Sequence, residues 1–358
     1  MTTRSSRLRL ALAAAIIVLA APGYAQTPGE PAAPAPATPA PKPAAPRPAP
    51  RSNPLPPAKA SKPVTPVALP AARPGVEPDV AYGAYQRGYF LTAFAEATRR
   101  VDQMADPRAM TLLGELYSSG VGMPQDDAKA VEWYRLAAER GERDAMFALG
   151  LFNMTGRGGL RDRSEAARLF AEAAKLGHAA AAYDLGLLYL EGQQFPQDFG
   201  RAAELFRSAA QAGSPEAQYA LATLYKDGRG VEKNEAEAAR LLAAAALAEN
   251  PDAEVEYAIA LYNGTGVTRD EAKATALFRR AASRGSPIAQ NRLARIFSIG
   301  RGGAAANPVE AVKWHLIAKA GGNSDPYLDK YAADQPEDVR EAAQKAARPW
   351  LAGLPPKS

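Results

Sequence analysis

The chain of 358 residues contains no cysteine and only two histidines. Without cysteine it forms no disulfide and has no thiol nucleophile or thiolate metal ligand, so its stability must come from packing. His178 and His315 lie far apart in the sequence, and no serine stands in a nucleophile-elbow motif. We therefore predict no catalytic residue, no metal site and no cofactor, and we expect that the protein is not an enzyme.

The chain also lacks an apolar run long enough to cross a membrane. An uncharged run from Leu10 to Ala21 follows a short arginine-bearing segment and precedes the small residues Gly23 and Ala25. A membrane-spanning helix needs about 20 apolar residues, whereas a basic start, a short apolar run and small residues are typical of a secretory signal peptide. We therefore predict that residues 1–25 are a cleaved signal peptide. The mature chain is then periplasmic or secreted and does not span a membrane.

Residues 26–75 have almost nothing that can fill a core. They contain 17 of the 31 prolines, with alanines between them, six basic residues and one acidic residue. This composition is typical of a disordered, extended linker. The leader and this linker carry the basic charge of the chain, so residues 76–358 are slightly acidic and we expect no nucleic-acid binding there. We interpret the linker as a plain spacer. Weak contact of its dispersed cations with cell-wall polyanions is the alternative.

From residue 106 onward, small and capping residues recur at a constant interval. The interval is 36, and it returns an alanine at Ala109, Ala145, Ala181, Ala217, Ala253 and Ala289, and a loop glycine at Gly120, Gly156, Gly192, Gly228, Gly264 and Gly300. A third position holds Asp126, Asp162, Asp198, Asn234, Asp270 and, after a one-residue insertion, Asn307. Apolar residues at helical spacing flank each loop, which predicts antiparallel helix hairpins stacked as an α-solenoid.

The first unit carries the motifs Leu113-Gly114, Gly120-Val121-Gly122 and Trp133-Tyr134. This pattern resembles Sel1-like repeats, which are relatives of the tetratricopeptide repeat. The resemblance implies an all-α fold, a right-handed α/α superhelical solenoid of about six helix hairpins over residues 106–322. Residues 76–105 are predicted to form an N-terminal capping hairpin, and residues 323–358 are predicted to form C-terminal capping helices and a tail.

The resemblance also implies a binding surface, because the first helices of tetratricopeptide hairpins line the concave side of the array. Carried over by position, the predicted concave residues are Phe147, Leu151, Met154, Tyr183, Leu187, Leu190, Tyr219, Thr223, Val255, Ile259 and Tyr262. The predicted polar ends of this groove are Arg108, Thr111 and Glu115 in unit one, and Asn291, Arg295 and Ser298 in unit six. An apolar middle with a polar rim suits a peptide or protein partner. Packing between neighbouring helices is the alternative for these side chains.

Three further residue groups receive a structural interpretation. The Asp and Asn residues before the second helices are interpreted as N-caps. His178 is expected to interact with a helix C-terminus. The acidic pair Glu254 and Glu256 is interpreted as non-catalytic, since a solenoid has no closed cleft that would raise a carboxyl pKa.

These features predict an exported Sel1-like repeat protein that acts as an interaction scaffold or regulator in the cell envelope. Its partner is a protein or peptide that the sequence does not identify. Two alternatives stay open. One is a cell-wall-related or β-lactam hydrolase, which the absence of cysteine disfavours because that activity has been proposed for cysteine-rich members of the family. The other is a peptidoglycan-associated structural module held by the basic linker.

Overall fold

The computed structural model describes residues 79–353. The predicted signal peptide and the predicted linker lie outside the described residues, as do residues 354–358 of the tail. In the described range all regular structure is helical, and no helix there is long and apolar enough to cross a membrane.

An N-terminal hairpin opens the described range, with α1 at Val80–Gln86 and α2 at Phe90–Met104. The C-terminus of α2 is set by the residue that follows it. The helix continues to Met104 because Ala105 adopts the left-handed conformation (φ 49°) and its N–H bonds to the carbonyl of Val101. A left-handed residue after the last turn satisfies carbonyls that would otherwise lack a donor.

Six hairpins follow, and each contains two helices of equal length. The first helices are α3 (Pro107–Ser119), α5 (Arg143–Thr155), α7 (Ala179–Glu191), α9 (Pro215–Asp227), α11 (Pro251–Asn263) and α13 (Pro287–Ile299). The second helices are α4 (Asp127–Glu139), α6 (Arg163–Lys175), α8 (Phe199–Gln211), α10 (Glu235–Leu247), α12 (Glu271–Ser283) and α14 (Pro308–Ala320). Each helix packs on its hairpin partner and on the adjacent hairpin. The described chain is therefore an all-α superhelical solenoid, and the predicted fold class is confirmed.

Two helices end the described range, α15 at Pro326–Ala333 and α16 at Glu337–Leu351. The last hairpin is in contact with both of them, and α16 packs along α14. The ring of Trp350 on α16 lies 5.2 Å from the ring of Trp314 on α14. These contacts cover the open side of the sixth hairpin, as a solenoid end requires.

Side-chain caps start the second helices of all six hairpins. Asp126 accepts the backbone N–H of Lys129 at 3.0 Å, and Asn307 accepts that of Glu310 at 3.1 Å. The four caps between them do the same. The N-cap interpretation is therefore confirmed, and each such cap stabilises its helix by about 1 kcal/mol.

His178 makes the predicted contact with a helix C-terminus through its backbone, since its N–H donates to the carbonyl of Ala173 in the last turn of α6 at 3.0 Å, while its side chain is an N-cap. Its Nδ1 accepts the backbone N–H of Ala181 at 3.0 Å at the start of α7. The imidazole also stacks on the ring of Phe147, with 4.4 Å between ring centroids. An unprotonated imidazole nitrogen is an acceptor, which is what the first turn of a helix needs.

Close approach within each of the first three hairpins depends on glycine facing an aromatic ring. A Cβ added at Gly114, Gly150 or Gly186 would lie 2.5–2.6 Å from the ring of Tyr134, Phe170 or Phe206, respectively. The same position in the last three hairpins holds alanine, at Ala222, Ala258 and Ala294. A small residue on the first helix therefore leaves room for a large buried side chain on the second.

Loop contacts tie each unit to the one before it. A Cβ at Gly158 would lie 2.4 Å from the carbonyl oxygen of Asp127, and a Cβ at Gly266 would lie 2.0 Å from that of Glu235. Both contacts are with the start of the second helix of the preceding hairpin. Arg157 strengthens the first of them with two hydrogen bonds to the Asp127 carboxylate, at 2.6 and 3.1 Å.

Candidate functional site

Six of the eleven predicted groove residues are buried. These are Phe147, Met154, Tyr183, Leu187, Leu190 and Val255. The ring of Tyr183 lies 5.5 Å from that of Phe206, and the ring of Phe147 lies 5.7 Å from that of Phe170. These contacts join the first helix of a hairpin to the second. The six buried residues therefore fit the alternative interpretation, in which they pack between neighbouring helices. A contact surface for a partner rests on the remaining five.

The remaining five are partly exposed on α5, α9 and α11. They are Leu151, Tyr219, Thr223, Ile259 and Tyr262. Leu151, Thr223 and Ile259 occupy one position of the repeat, so they form a row that is interrupted in unit three, where the same position holds the buried Leu187. We call the partly exposed side of the first helices the first-helix face. Burial and the nearby charges of Asp252 and Glu256 raise the pKa of Tyr219, so its hydroxyl stays neutral and can donate a hydrogen bond.

The polar end at unit one is engaged in hydrogen bonds within the chain. Thr111 Oγ1 donates to Glu142 Oε2 at 2.9 Å. Glu115 accepts from the hydroxyls of Tyr85 at 3.3 Å and Tyr134 at 3.2 Å. Burial, together with the charge of Glu115 and this hydrogen bond, raises the pKa of Tyr85 to about 12. Arg108 is exposed and lines an open cleft of about 410 Å³ at the starts of α3 and α5.

The polar end at unit six is mainly a joint with α15, and this corrects its predicted role as an open rim. Arg295 donates two hydrogen bonds to the buried Asp325, at 2.6 and 2.8 Å, and Asn291 donates a third at 3.1 Å. Asp325 is also the N-cap of α15. Burial opposes ionisation of Asp325, but the bonds from Arg295 and Asn291 outweigh it and lower its pKa. Ser298 lies 3.5 Å from the hydroxyl of Tyr327 on α15.

A pocket of about 230 Å³ lies where α11, α13 and α15 meet. Two predicted groove residues, Ile259 and Tyr262, line it, together with Arg292, Ile299 and Tyr327. Sequence reasoning did not select the last three residues. The signal was present on α13, because Ile288, Arg292, Arg295 and Ile299 recur at the spacing of one helical face.

The acidic residues singled out in the sequence have structural partners. Glu254 is fully buried, and its carboxylate accepts from Arg280 at 2.7 Å and from Arg284 at 3.3 Å. Glu256 pairs with Lys226 at 3.0 Å. Within residues 79–353, no group of histidine, aspartate and glutamate side chains is arranged to hold a metal ion.

The helices form pairs of constant length and are capped at both ends, and their loops contact the preceding unit. This arrangement defines an α-solenoid repeat protein. The model of the Sel1 repeat family matches six consecutive segments, at residues 107–142, 143–178, 179–214, 215–250, 251–286 and 287–323. The matches cover more than half of the chain. The protein belongs to the Sel1 repeat family, and the resemblance seen in the sequence is confirmed.

Two solved structures are similar in fold and sequence. One is c5321, a protective antigen present in uropathogenic Escherichia coli strains and displaying an SLR fold, with a TM-score of 0.66 and 31% identity. That match covers 75% of this chain and 60% of the antigen, so this chain spans less than two thirds of that protein. The other is a Sel1 repeat protein from Oxalobacter formigenes, with a TM-score of 0.59 and 27% identity, covering 67% of this chain and 98% of that one. No curated protein matches the chain.

Proposed function

We propose that the protein is a non-enzymatic scaffold, exported to the periplasm or beyond, that holds a protein or peptide partner on its first-helix face. Sel1 repeats generally mediate protein–protein interactions, which supports the class of partner. The observation that carries the proposal is the row formed by Leu151, Thr223 and Ile259, which is partly exposed in units two, four and five and is interrupted by the buried Leu187 in unit three. A row of repeated contacts along a solenoid suits an extended partner.

Export rests on the signal peptide predicted at residues 1–25, and the linker predicted at residues 26–75 would separate the array from its point of attachment or release. N-terminal sequencing of the protein recovered from cell fractions tests this part of the proposal. A periplasmic or secreted protein that begins near Gln26 supports it. A cytoplasmic protein that retains the leader contradicts it.

Partner binding is tested by crosslinking pull-down from envelope extract followed by identification of the captured proteins. Thr223→Arg places a bulky charge in the row on α9 and is expected to lose the partner. Ala276→Arg introduces the same side chain at an exposed position on the second helix α12 and is expected to keep it. Both variants should retain the helical circular dichroism of the parent. Equal capture by the parent and by Thr223→Arg would contradict the first-helix face as the binding surface.

A further inference from the structure

The exposed stripe on α13 differs from the equivalent stripes of the two preceding units. On α13 it consists of Ile288, Arg292, Arg295 and Ile299. Ile288 is 48% exposed and Ile299 is 54% exposed, so the stripe carries two apolar side chains at the surface. The equivalent positions are Asp252, Glu256, Ile259 and Asn263 on α11, and Glu216, Ala220, Thr223 and Asp227 on α9. The first-helix face therefore changes from acidic on α9 and α11 to basic and apolar on α13.

The two arginines of this stripe have different surroundings. The charge of Arg295 is neutralised by the bidentate contact with Asp325. Arg292 is exposed at the pocket and makes no hydrogen bond or ion pair with the part of the chain that the structure describes. Arg292 therefore supplies an uncompensated positive charge beside an apolar cavity. A guanidinium presents several donors in a plane and matches a carboxylate.

The pocket next to Arg292 can accept one large apolar side chain. Phe278 and Ile296 are buried in its lining, and Ile299 and Tyr327 stand at its edge with about half of their surface exposed. Arg295 lies over the Tyr327 ring at 5.0 Å and fixes one wall of the pocket. Apolar contact surrounded by polar groups is the usual composition of an energetic anchor in a protein interface.

We infer that this pocket, which we call the α13 pocket, binds an acidic peptide segment that inserts one large apolar side chain and places a neighbouring carboxylate on Arg292. The inference rests on the proposed function and names the chemistry of the partner at one end of the first-helix face. Asp252 on α11 repels carboxylates, whereas Glu256 is paired with Lys226, so the acidic part of the segment lies over α13. The remainder of the segment, neutral or basic, extends toward α9.

Fluorescence anisotropy with defined peptides tests this inference on the full chain. The probe is a fluorescein-labelled glycine–serine peptide that contains one phenylalanine flanked by aspartates. A second peptide replaces the aspartates by lysines, and a third replaces the phenylalanine by alanine. We expect the aspartate–phenylalanine peptide to bind and each of the other two to bind at least about tenfold more weakly.

Substitution of Arg292 gives the decisive comparison. Arg292→Glu should weaken binding of the aspartate–phenylalanine peptide by about ten- to a hundredfold and should strengthen binding of the lysine peptide. Arg135→Glu changes an exposed arginine on the second helix of unit one and should leave both affinities unchanged. Absence of binding by all three peptides would overturn the inference, as would an Arg292→Glu affinity equal to that of the parent.

The pull-down described for the proposed function separates failure of this inference from failure of that function. A partner lost by both Thr223→Arg and Arg292→Glu supports both. If Thr223→Arg loses the partner and Arg292→Glu retains it at parental affinity, the scaffold function stands and the acidic-segment inference is overturned. A partner retained by Thr223→Arg contradicts the scaffold proposal. In that case the peptide measurements alone decide whether the α13 pocket binds an acidic segment.

Discussion

At the scale of single residues, the packing of each hairpin depends on which side chain stands opposite the small residue of the first helix. Gly186 faces the buried ring of Phe206, and an added Cβ would meet that ring at 2.6 Å. In unit four, the equivalent positions are occupied by Ala222 and Leu242. These two pairs fill the space with similar total volume, whereas unit five holds the larger pair Ala258 and Phe278, both buried.

This relation predicts non-additive stability. Gly186→Ala should lower the free energy of unfolding by about 1–3 kcal/mol through overpacking against Phe206. Combining it with Phe206→Leu, which reproduces the unit-four pair, should recover about 1 kcal/mol relative to the sum of the single changes. Chemical denaturation of the parent, both single variants and the double variant measures the coupling. Additive effects would show that the two side chains do not compete for space.

The turn between α10 and α11 contains a residue in a conformation that favours glycine. Glu249 has φ 62°, whereas the equivalent positions hold Gly141, Gly177, Gly213, Gly285 and Gly322, all with positive φ. A left-handed conformation costs a residue with a side chain about 1–2 kcal/mol. The glutamate side chain is largely exposed. Its ion pair with Arg284, at 3.9 Å, contributes little stability to offset this cost.

Glu249→Gly is therefore expected to stabilise the protein by up to about 1 kcal/mol, since relief of backbone strain exceeds the added entropy of the unfolded chain. Glu249→Ala is the matched control, because it removes the side chain and keeps the strained backbone. The midpoint of thermal unfolding is the measurement. A gain for Glu249→Ala as large as that for Glu249→Gly would assign the effect to the side chain instead of the backbone.

At the scale of helices, the sequence pattern predicted the hairpins and their caps but not which apolar residues are accessible. Nine residues of α7 are buried, including Tyr183, Leu187 and Leu190. Because α7 packs against its own partner α8 and against α6 of the preceding hairpin, apolar residues are buried on most of its sides and the helical period no longer marks one face. Position in the repeat was therefore enough to predict which residues lie on the first helices. Which of them are buried could be seen only in the packed structure.

The joint between α13 and α15 is expected to be acid-sensitive. The lowered pKa of Asp325 means that folding favours its ionised form. Its stabilising contribution is therefore complete above the ordinary aspartate pKa and is lost as the pH falls through the lower folded-state value. Asn291 and Arg295 then retain donors without a charged acceptor, and the neutral carboxyl of Asp325 is a weaker N-cap for α15.

Asp325→Asn should weaken docking of α15 and α16 by about 2–3 kcal/mol at neutral pH and should remove the acid-dependent part of the transition. Tryptophan fluorescence during an acid titration reports the change, because Trp314 and Trp350 are in contact across this end. Asp338→Asn, at an exposed site in the first turn of α16, is the control. An acid transition of unchanged midpoint in Asp325→Asn would contradict the assignment.

At the scale of the whole array, contacts connect each hairpin with its neighbours, so a complete unit should be removable. Deleting residues 179–214, one full match of the repeat, joins His178 to Pro215 and retains an N-cap before α9. We expect the shortened protein to keep its helical content per residue and to unfold at a lower temperature. Circular dichroism during heating measures both quantities.

A half-unit deletion provides the control. Removing residues 179–196 takes away α7 and its loop but leaves α8 without the helix that covers it. This variant is expected to aggregate or to lose its cooperative transition, because an unpaired apolar helix face stays exposed. Equal behaviour of the two deletions would contradict the hairpin as the unit of stability.

The array as a whole was predictable because a constant interval constrains every unit at once. The α13 pocket was not, since Ile259, Arg292 and Tyr327 come from three helices in different units and meet only in the packed structure. Asn291 and Arg295 show the same limit. Their composition is typical of a polar rim, but α15 covers them and turns them into a joint.

The loop glycines that reach back to the preceding hairpin give the array a direction. A chain leaves a ribosome or an export channel with its N-terminus first. The start of each second helix is then exposed until the loop of the next hairpin has emerged and can pack on it. We therefore expect each hairpin to complete its packing only after the next hairpin has emerged. The sixth hairpin has no successor loop in the array, so its completion awaits α15 and α16, and a chain arrested before them carries one unfinished end.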